Sequence, residues 1–91
     1  MVVNVSLNGR PDIPATLAIG RDPATGIVRW RLTVDGDFQE WRGSTVGIVM
    51  RRGTATYIGE AVMTACLIDD AGLHTAELDG VGPLDDDTFE L

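Results

Sequence analysis

Lysine is absent from these 91 residues, and cysteine, histidine and tyrosine occur once each. Each scarcity excludes something. A lone Cys66 rules out an internal disulfide framework and a multi-cysteine metal site. Its setting in AVMTACLI reads as a small buried hydrophobe rather than a reactive thiol. His74 stands one residue beyond a turn signal, with no motif supplying a nucleophile or an acid for a histidine-based triad, so it reads as a half-exposed strand residue. GxSxG, HExxH and a glycine-rich phosphate loop leading into a helix are all missing. Asp35-Gly36-Asp37 with Glu40 resembles a fragment of a calcium loop without the remaining ligands, and reads as a hairpin turn. No cofactor, no metal site and no enzymatic activity are therefore expected. No apolar run approaches the ~18–20 residues of a membrane span, and VVNVSL after Met1 lacks the basic start of a signal peptide. The expectation is a soluble intracellular product without membrane association.

What is present is arginine, acid and alternation. The seven basic residues are all arginine against 14 acids, and their distribution is uneven. Residues 1–26 balance Arg10 and Arg21 with Asp12 and Asp22. Residues 27–52 carry Arg29, Arg31, Arg42, Arg51 and Arg52 against Asp35, Asp37 and Glu40. Residues 53–91 carry no arginine and every remaining acid, ending in Asp85-Asp86-Asp87 and Glu90. A GC-rich genome would be one account of the lack of lysine, and the physical consequence stands regardless. Arginine pairs with carboxylates in planar bidentate fashion and suits interface ion pairs. A basic middle and an acidic end can complement each other within one molecule or between copies.

Alternation predicts strands. VVNVSL (2–7) places Val3, Val5 and Leu7 on one face, and NGRPDIP follows as a loop. ATLAIG (15–20) alternates again, and RDPATG (21–26) is a tight turn. IVRWRLTV (27–34) divides Val28, Trp30, Leu32 and Val34 from Ile27, Arg29, Arg31 and Thr33. Asp35-Gly36 signals a hairpin with DFQEW as the returning strand. STVGIVMRR (44–52) aligns Val46, Ile48 and Met50, with Gly47 allowing a bulge or a close approach. Residues 53–68 are apolar on both faces; strand is favoured over a helix for 59–68 by Thr54, Thr56, Ile58, Val62 and Thr64. Asp69-Asp70-Ala71-Gly72 then turns the chain into LHTAEL (73–78), and GVGPLDDDTFEL reads as a turn and an acidic tail. The expected fold is all-β, a small antiparallel barrel or sandwich of six to seven short strands, with one domain over 1–84 and an acidic tail over 85–91.

Two functions compete for the arginines. Arg29-Trp30-Arg31, Trp41-Arg42 and Arg51-Arg52 suit a small barrel that binds single-stranded nucleic acid by a basic groove and aromatic stacking. Strand alternation, however, sends Trp30 to the face opposite Arg29 and Arg31, and the net charge of −7 opposes binding to a polyanion. Protein–protein assembly uses the same residues without that conflict: Trp30 enters the core while the arginines project. Arg51 or Arg52 on a later strand would join Arg29 and Arg31 to form a face. The expected interface residues are Arg29, Arg31, Arg42, Arg51 and Arg52, meeting acidic groups such as Asp85, Asp86 and Asp87. Contacts between different patches of identical chains build rings or stacked tubes. A small regulatory or inhibitory binding domain is a third reading.

YIGEAVMTACLIDDAGLHTAELDGVGPL (57–84) resembles the terminal hairpin of many tailed-bacteriophage tail and virion proteins. The shared features are a strand with Gly59 and Ala61, an acidic turn from Asp69 to Gly72, and a strand closing on Gly80 to Leu84; they cover under a third of the chain. Such proteins are small β-barrels or sandwiches that assemble into rings, tubes or capsid decorations without catalysis. The resemblance implies a virion location after production in the host cytoplasm, with copies of the chain itself or capsid and tail proteins as partners. The chain is short for a tail-tube subunit and has no long inserted hairpin, which leaves decoration, connector and minor tail roles.

Overall fold

The structure, a computed structural model, describes residues 1–26 and 28–85. Six strands form it: β1 (Val2–Leu7), β2 (Ile13–Arg21), β3 (Val28–Asp35), β4 (Thr45–Arg52), β5 (Ala55–Ile68) and β6 (His74–Asp85). They close into an antiparallel barrel in the order β1-β2-β3-β6-β5-β4, with β4 returning to β1. The chain thus makes two three-stranded meanders, β1-β2-β3 and β4-β5-β6, joined edge to edge along two seams. At one seam Val5 stands opposite Met50, and at the other Leu32 stands opposite Leu78.

Alternation drives each strand to give one side to the interior. Val3, Val5 and Leu7 of β1, Trp30, Leu32 and Val34 of β3, and Val46, Ile48 and Met50 of β4 are all buried. Ala15, Ala61 and Ala76 supply the small positions that let these larger side chains interdigitate. Along β5 the register slips twice, between Ile58 and Glu60 and between Met63 and Ala65. Such bulges bend a strand and increase its twist, which helps a sheet of only six strands to curl shut.

The single connection between the meanders crosses one end of the barrel. The Asp35-Gly36 signal does not make a hairpin here, because the next strand in the chain, β4, lies on the far side of the barrel from β3. Gly36, at φ +141°, instead donates its N–H to the carbonyl of His74 at 2.9 Å. Residues expected to return as a strand form a 3-10 turn, Gln39–Trp41. The Asp37 carboxylate accepts from the Gln39 N–H at 3.2 Å and so holds the start of the turn. Phe38 and Trp41 stack with centroids 5.6 Å apart and pack on the core as a lid. Arg10 lies over the Trp41 ring at 4.2 Å while pairing with Glu40 at 2.9 Å.

The expected turn at GVGPL and the expected enclosure of Cys66 both change. The expected tail from 86 onward lies outside the described residues, and GVGPL is not a turn, since β6 continues through it to Asp85. The reason is Trp30, whose ring lies against Gly80 and whose indole N–H donates to the Gly82 carbonyl at 3.0 Å. Cys66 is half-buried at the margin of the core rather than enclosed by it, with its thiol 3.6 Å from the sulfur of Met63. His74 is half-buried at the start of β6, as expected of a strand residue just beyond a turn. Gly47 is the point of close approach that its position suggested: its N–H donates to the Asn8 side-chain carbonyl at 2.8 Å.

Candidate protein interface

Strand pleating puts Arg29 and Arg31 outside the barrel, opposite to Trp30, and both are exposed. Arg31 faces Asp79 across the β3–β6 seam, and its Nε donates to the Asp79 carboxylate at 2.7 Å. That hydrogen bond and the charge of Asp79 raise the Arg31 guanidinium above its ordinary value. Arg51 is likewise committed, to Asp12 at 2.5 Å. Among the described residues, no carboxylate lies within ion-pair distance of Arg29, Arg42 or Arg52.

The five arginines do not share a face. Arg29 and Arg31 lie on β3, Arg51 and Arg52 end β4, and three strand steps separate these strands whichever way one goes round the barrel. Arg42 follows the 3-10 turn at the barrel end. Of the acidic candidates, Asp85 ends β6, paired with Ile58, while Asp86 and Asp87 lie outside the described residues. The arginines therefore do not act as one face, and of these five only Arg29, Arg42 and Arg52 have no ion-pair partner among the described residues. Arg29→Ala combined with Arg31→Ala is expected to leave the fold intact, because neither side chain reaches the core. Urea unfolding followed by tryptophan fluorescence would check this, and loss of the folded baseline would contradict it.

A second surface is formed by an uncharged stretch of strand, Ala65 to Ile68, that ends in an acidic turn. β5 is 14 residues long and β4 only eight, so the β5–β6 hairpin runs past the end of β4. The pairing of β4 with β5 stops at Thr45–Val62. Backbone bonds between Met63 and residues 43 and 44 then finish that edge, with Gly43 N–H to Met63 O at 2.8 Å and Met63 N–H to Ser44 O at 3.1 Å. Beyond them, Ala65 to Ile68 pair only with β6, from Glu77 to His74. The Asp69 N–H donates to Leu73 O at 3.0 Å across the hairpin. By the two-residue alternation of a strand, the peptide groups of Leu67 and Ala65 face β6 as well, and those of Cys66 and Ile68 face the other way. Among the described residues no strand stands there. β5 thus has a short open edge at this end of the barrel, as β2 has at the other, where Ala18 to Arg21 pair only with β3.

The open edge is apolar. Leu67, Ile68 and Leu73 are 51%, 56% and 66% exposed at the hairpin tip. The tip itself is held: the Asp69 carboxylate accepts from the N–H groups of Ala71 and Leu73, both at 2.9 Å. The neighbouring Asp70 is exposed and has no partner among the described residues. Alternation alone does not reveal this site. The signal was in relative length, since the apolar segment over 53–68 outruns the one over 44–52.

Elsewhere, a groove of about 520 Å3 runs over the outer face of β4, β5 and β6, between Asn8, Gly47, Val49, Ile58, Glu60 and Val81. Among the described residues, Glu60 is the one titratable side chain lining it. No group of three or more histidine, cysteine, aspartate or glutamate side chains among the described residues could hold a metal ion. No helix among them is long and apolar enough to cross a membrane. Comparison with protein-family models, with curated proteins and with solved structures found no match to this chain.

Proposed function

We propose that this chain is a non-enzymatic structural protein that assembles with copies of itself or docks on a larger, virion-like assembly. The observation that carries the reading is the β5–β6 hairpin, which projects past the barrel with an unpaired, charge-free edge and three large apolar side chains in solvent. Unguarded edges of this kind template strand pairing with another chain, and natural sheets usually blunt them with charges or proline. Arg29, Arg42 and Arg52 supply unpaired cations that can steer an acidic partner surface into place. The virion setting rests on the resemblance of residues 57–84, within which Gly80 and Gly82 also serve to seat Trp30. A single-strand nucleic-acid role is less well supported. Trp30 and Tyr57 are buried and Phe38 and Trp41 half-buried, so no exposed ring among the described residues offers a stacking platform.

Light scattering of the purified protein at low and high salt tests the reading. Assembly is expected at both, because burial of apolar surface survives screening while ion pairs between exposed groups weaken. A strict monomer under all conditions, also when mixed with the products of neighbouring genes, would overturn it. Capsid and tail genes beside its own would support the virion setting.

A further inference from the structure

We infer that two copies of this chain join through the open edge of β5, antiparallel and about a two-fold axis at Leu67. The inference rests on the assembly reading and specifies its contact. The outward-facing peptide groups belong to Cys66 and Ile68. Only an axis at Leu67 sets Cys66 of each copy opposite Ile68 of the other, so that every outward N–H and C=O finds a partner. An axis at Cys66 would instead set Ile68 opposite Thr64, which stands at the register shift with its hydroxyl turned to Glu77 O at 3.4 Å. With the axis at Leu67, the two Leu67 residues form a non-hydrogen-bonded pair, the closer type of cross-strand neighbour, with Cα atoms about 4.5 Å apart. Each then covers apolar surface that is 51% exposed in the single chain.

Charge supports a second copy as the occupant. The same register places Asp70 of one copy opposite Thr64 of the other. The adjoining residue, Met63, is bonded to Gly43, and Gly43 follows Arg42. Arg42 and Asp70 are both exposed and have no ion-pair partner among the described residues. The two-fold axis brings them together twice. The segment from Ala61 to Ile68 holds no charge that would oppose the approach. An edge this short buries less area than a standard interface and belongs to the weak class, with dissociation expected at roughly micromolar to millimolar concentration.

Sedimentation equilibrium over a wide concentration range is the first measurement, and a concentration-dependent dimer or higher oligomer is expected. Leu67→Lys and Leu67→Glu should each be monomeric with an unchanged far-UV circular dichroism spectrum, and an equimolar mixture of the two should associate. In a Cys66→Ser background, Leu67→Cys should form a disulfide dimer on mild oxidation, since the pair distance suits a disulfide. Thr56→Cys, exposed at the far end of β5, should not. Arg42→Glu should weaken association several-fold, and the further change Asp70→Arg should restore it. Wild-type oligomers that persist in Leu67→Lys, or cross-linking no better at position 67 than at 56, would overturn the β5 edge and leave assembly by another surface standing. A wild-type chain that stays monomeric at every concentration and salt would overturn this pairing. The same chain failing also to bind neighbouring gene products would end the assembly reading itself.

Discussion

Trp30→Ala is expected to destabilise the barrel by about 3–5 kcal/mol, the range for removing a buried tryptophan. Trp30 is only 4% exposed and spans the interior from β3 to the backbone of β6. For a domain of this size that loss is a large part of the total stability, and it should lower the melting midpoint by on the order of 15–30 °C. The indole hydrogen bond is the smaller contribution, because Gly82 is exposed and water can replace the donor. Packing dominates, and a second substitution shows it. A Cβ on Gly80 would fall 2.1 Å from Cε2 and 2.3 Å from Nε1 of Trp30. Gly80→Ala alone should therefore cost about 1–3 kcal/mol or more as an overpacked position. In the Trp30→Ala background the same methyl group enters vacated space and should be neutral or stabilising. Thermal melts of the four proteins form a cycle, and additive effects would refute the contact.

Leu78→Ala should come next, at about 2–5 kcal/mol. Leu78 is fully buried on β6, opposite Leu32 on one side and Met63 on the other, and Leu32 in turn faces Leu17. These four side chains form one row across β2, β3, β6 and β5, and the row crosses the seam between the meanders. A cavity at Leu78 therefore loosens both halves at once, and the protein should unfold in a single transition at lower urea. Leu32→Ala should have a similar effect, and the double variant should cost less than the sum, because the two cavities merge. Chemical denaturation with an unchanged m-value would confirm that stability alone has moved. Two separated transitions would show that the meanders fold independently.

The first half of the barrel was legible because its alternation is strict. Val3, Val5 and Leu7, then Trp30, Leu32 and Val34, mark their buried faces without ambiguity. Alternation also placed Trp30 inside and Arg29 and Arg31 outside. β5 was harder, and the structure explains why. Its outward side includes Ile58 and Leu67, so apolar character there does not mark the core. The register shift after Met63 then turns Cys66 to the side of Tyr57, Ala61 and Met63, against the simple two-residue count. The turn signals at Asp35-Gly36 and Gly80-Val81-Gly82 misled for a common reason. Glycine can answer a distant contact as readily as a local turn, and here the distant groups are the His74 carbonyl and the Trp30 ring. The arginine face failed because β3 and β4 are consecutive in the chain without being neighbours in the sheet.

The two-meander plan also bears on how the chain reaches its fold. Both seams join strands far apart in sequence, with Asn4 opposite Arg51 and Arg31 opposite Asp79. Each meander can form from local hairpins, yet neither can satisfy its outer edges until the other arrives. Closure is then the slow, entropy-limited event, as expected where contacts span long loops. During synthesis the first meander emerges with the outer edges of β1 and β3 unpaired until β4 and β6 follow. For that interval the molecule displays more open edge than it will ever show once folded, and crowding among nascent chains becomes the hazard that its final architecture removes.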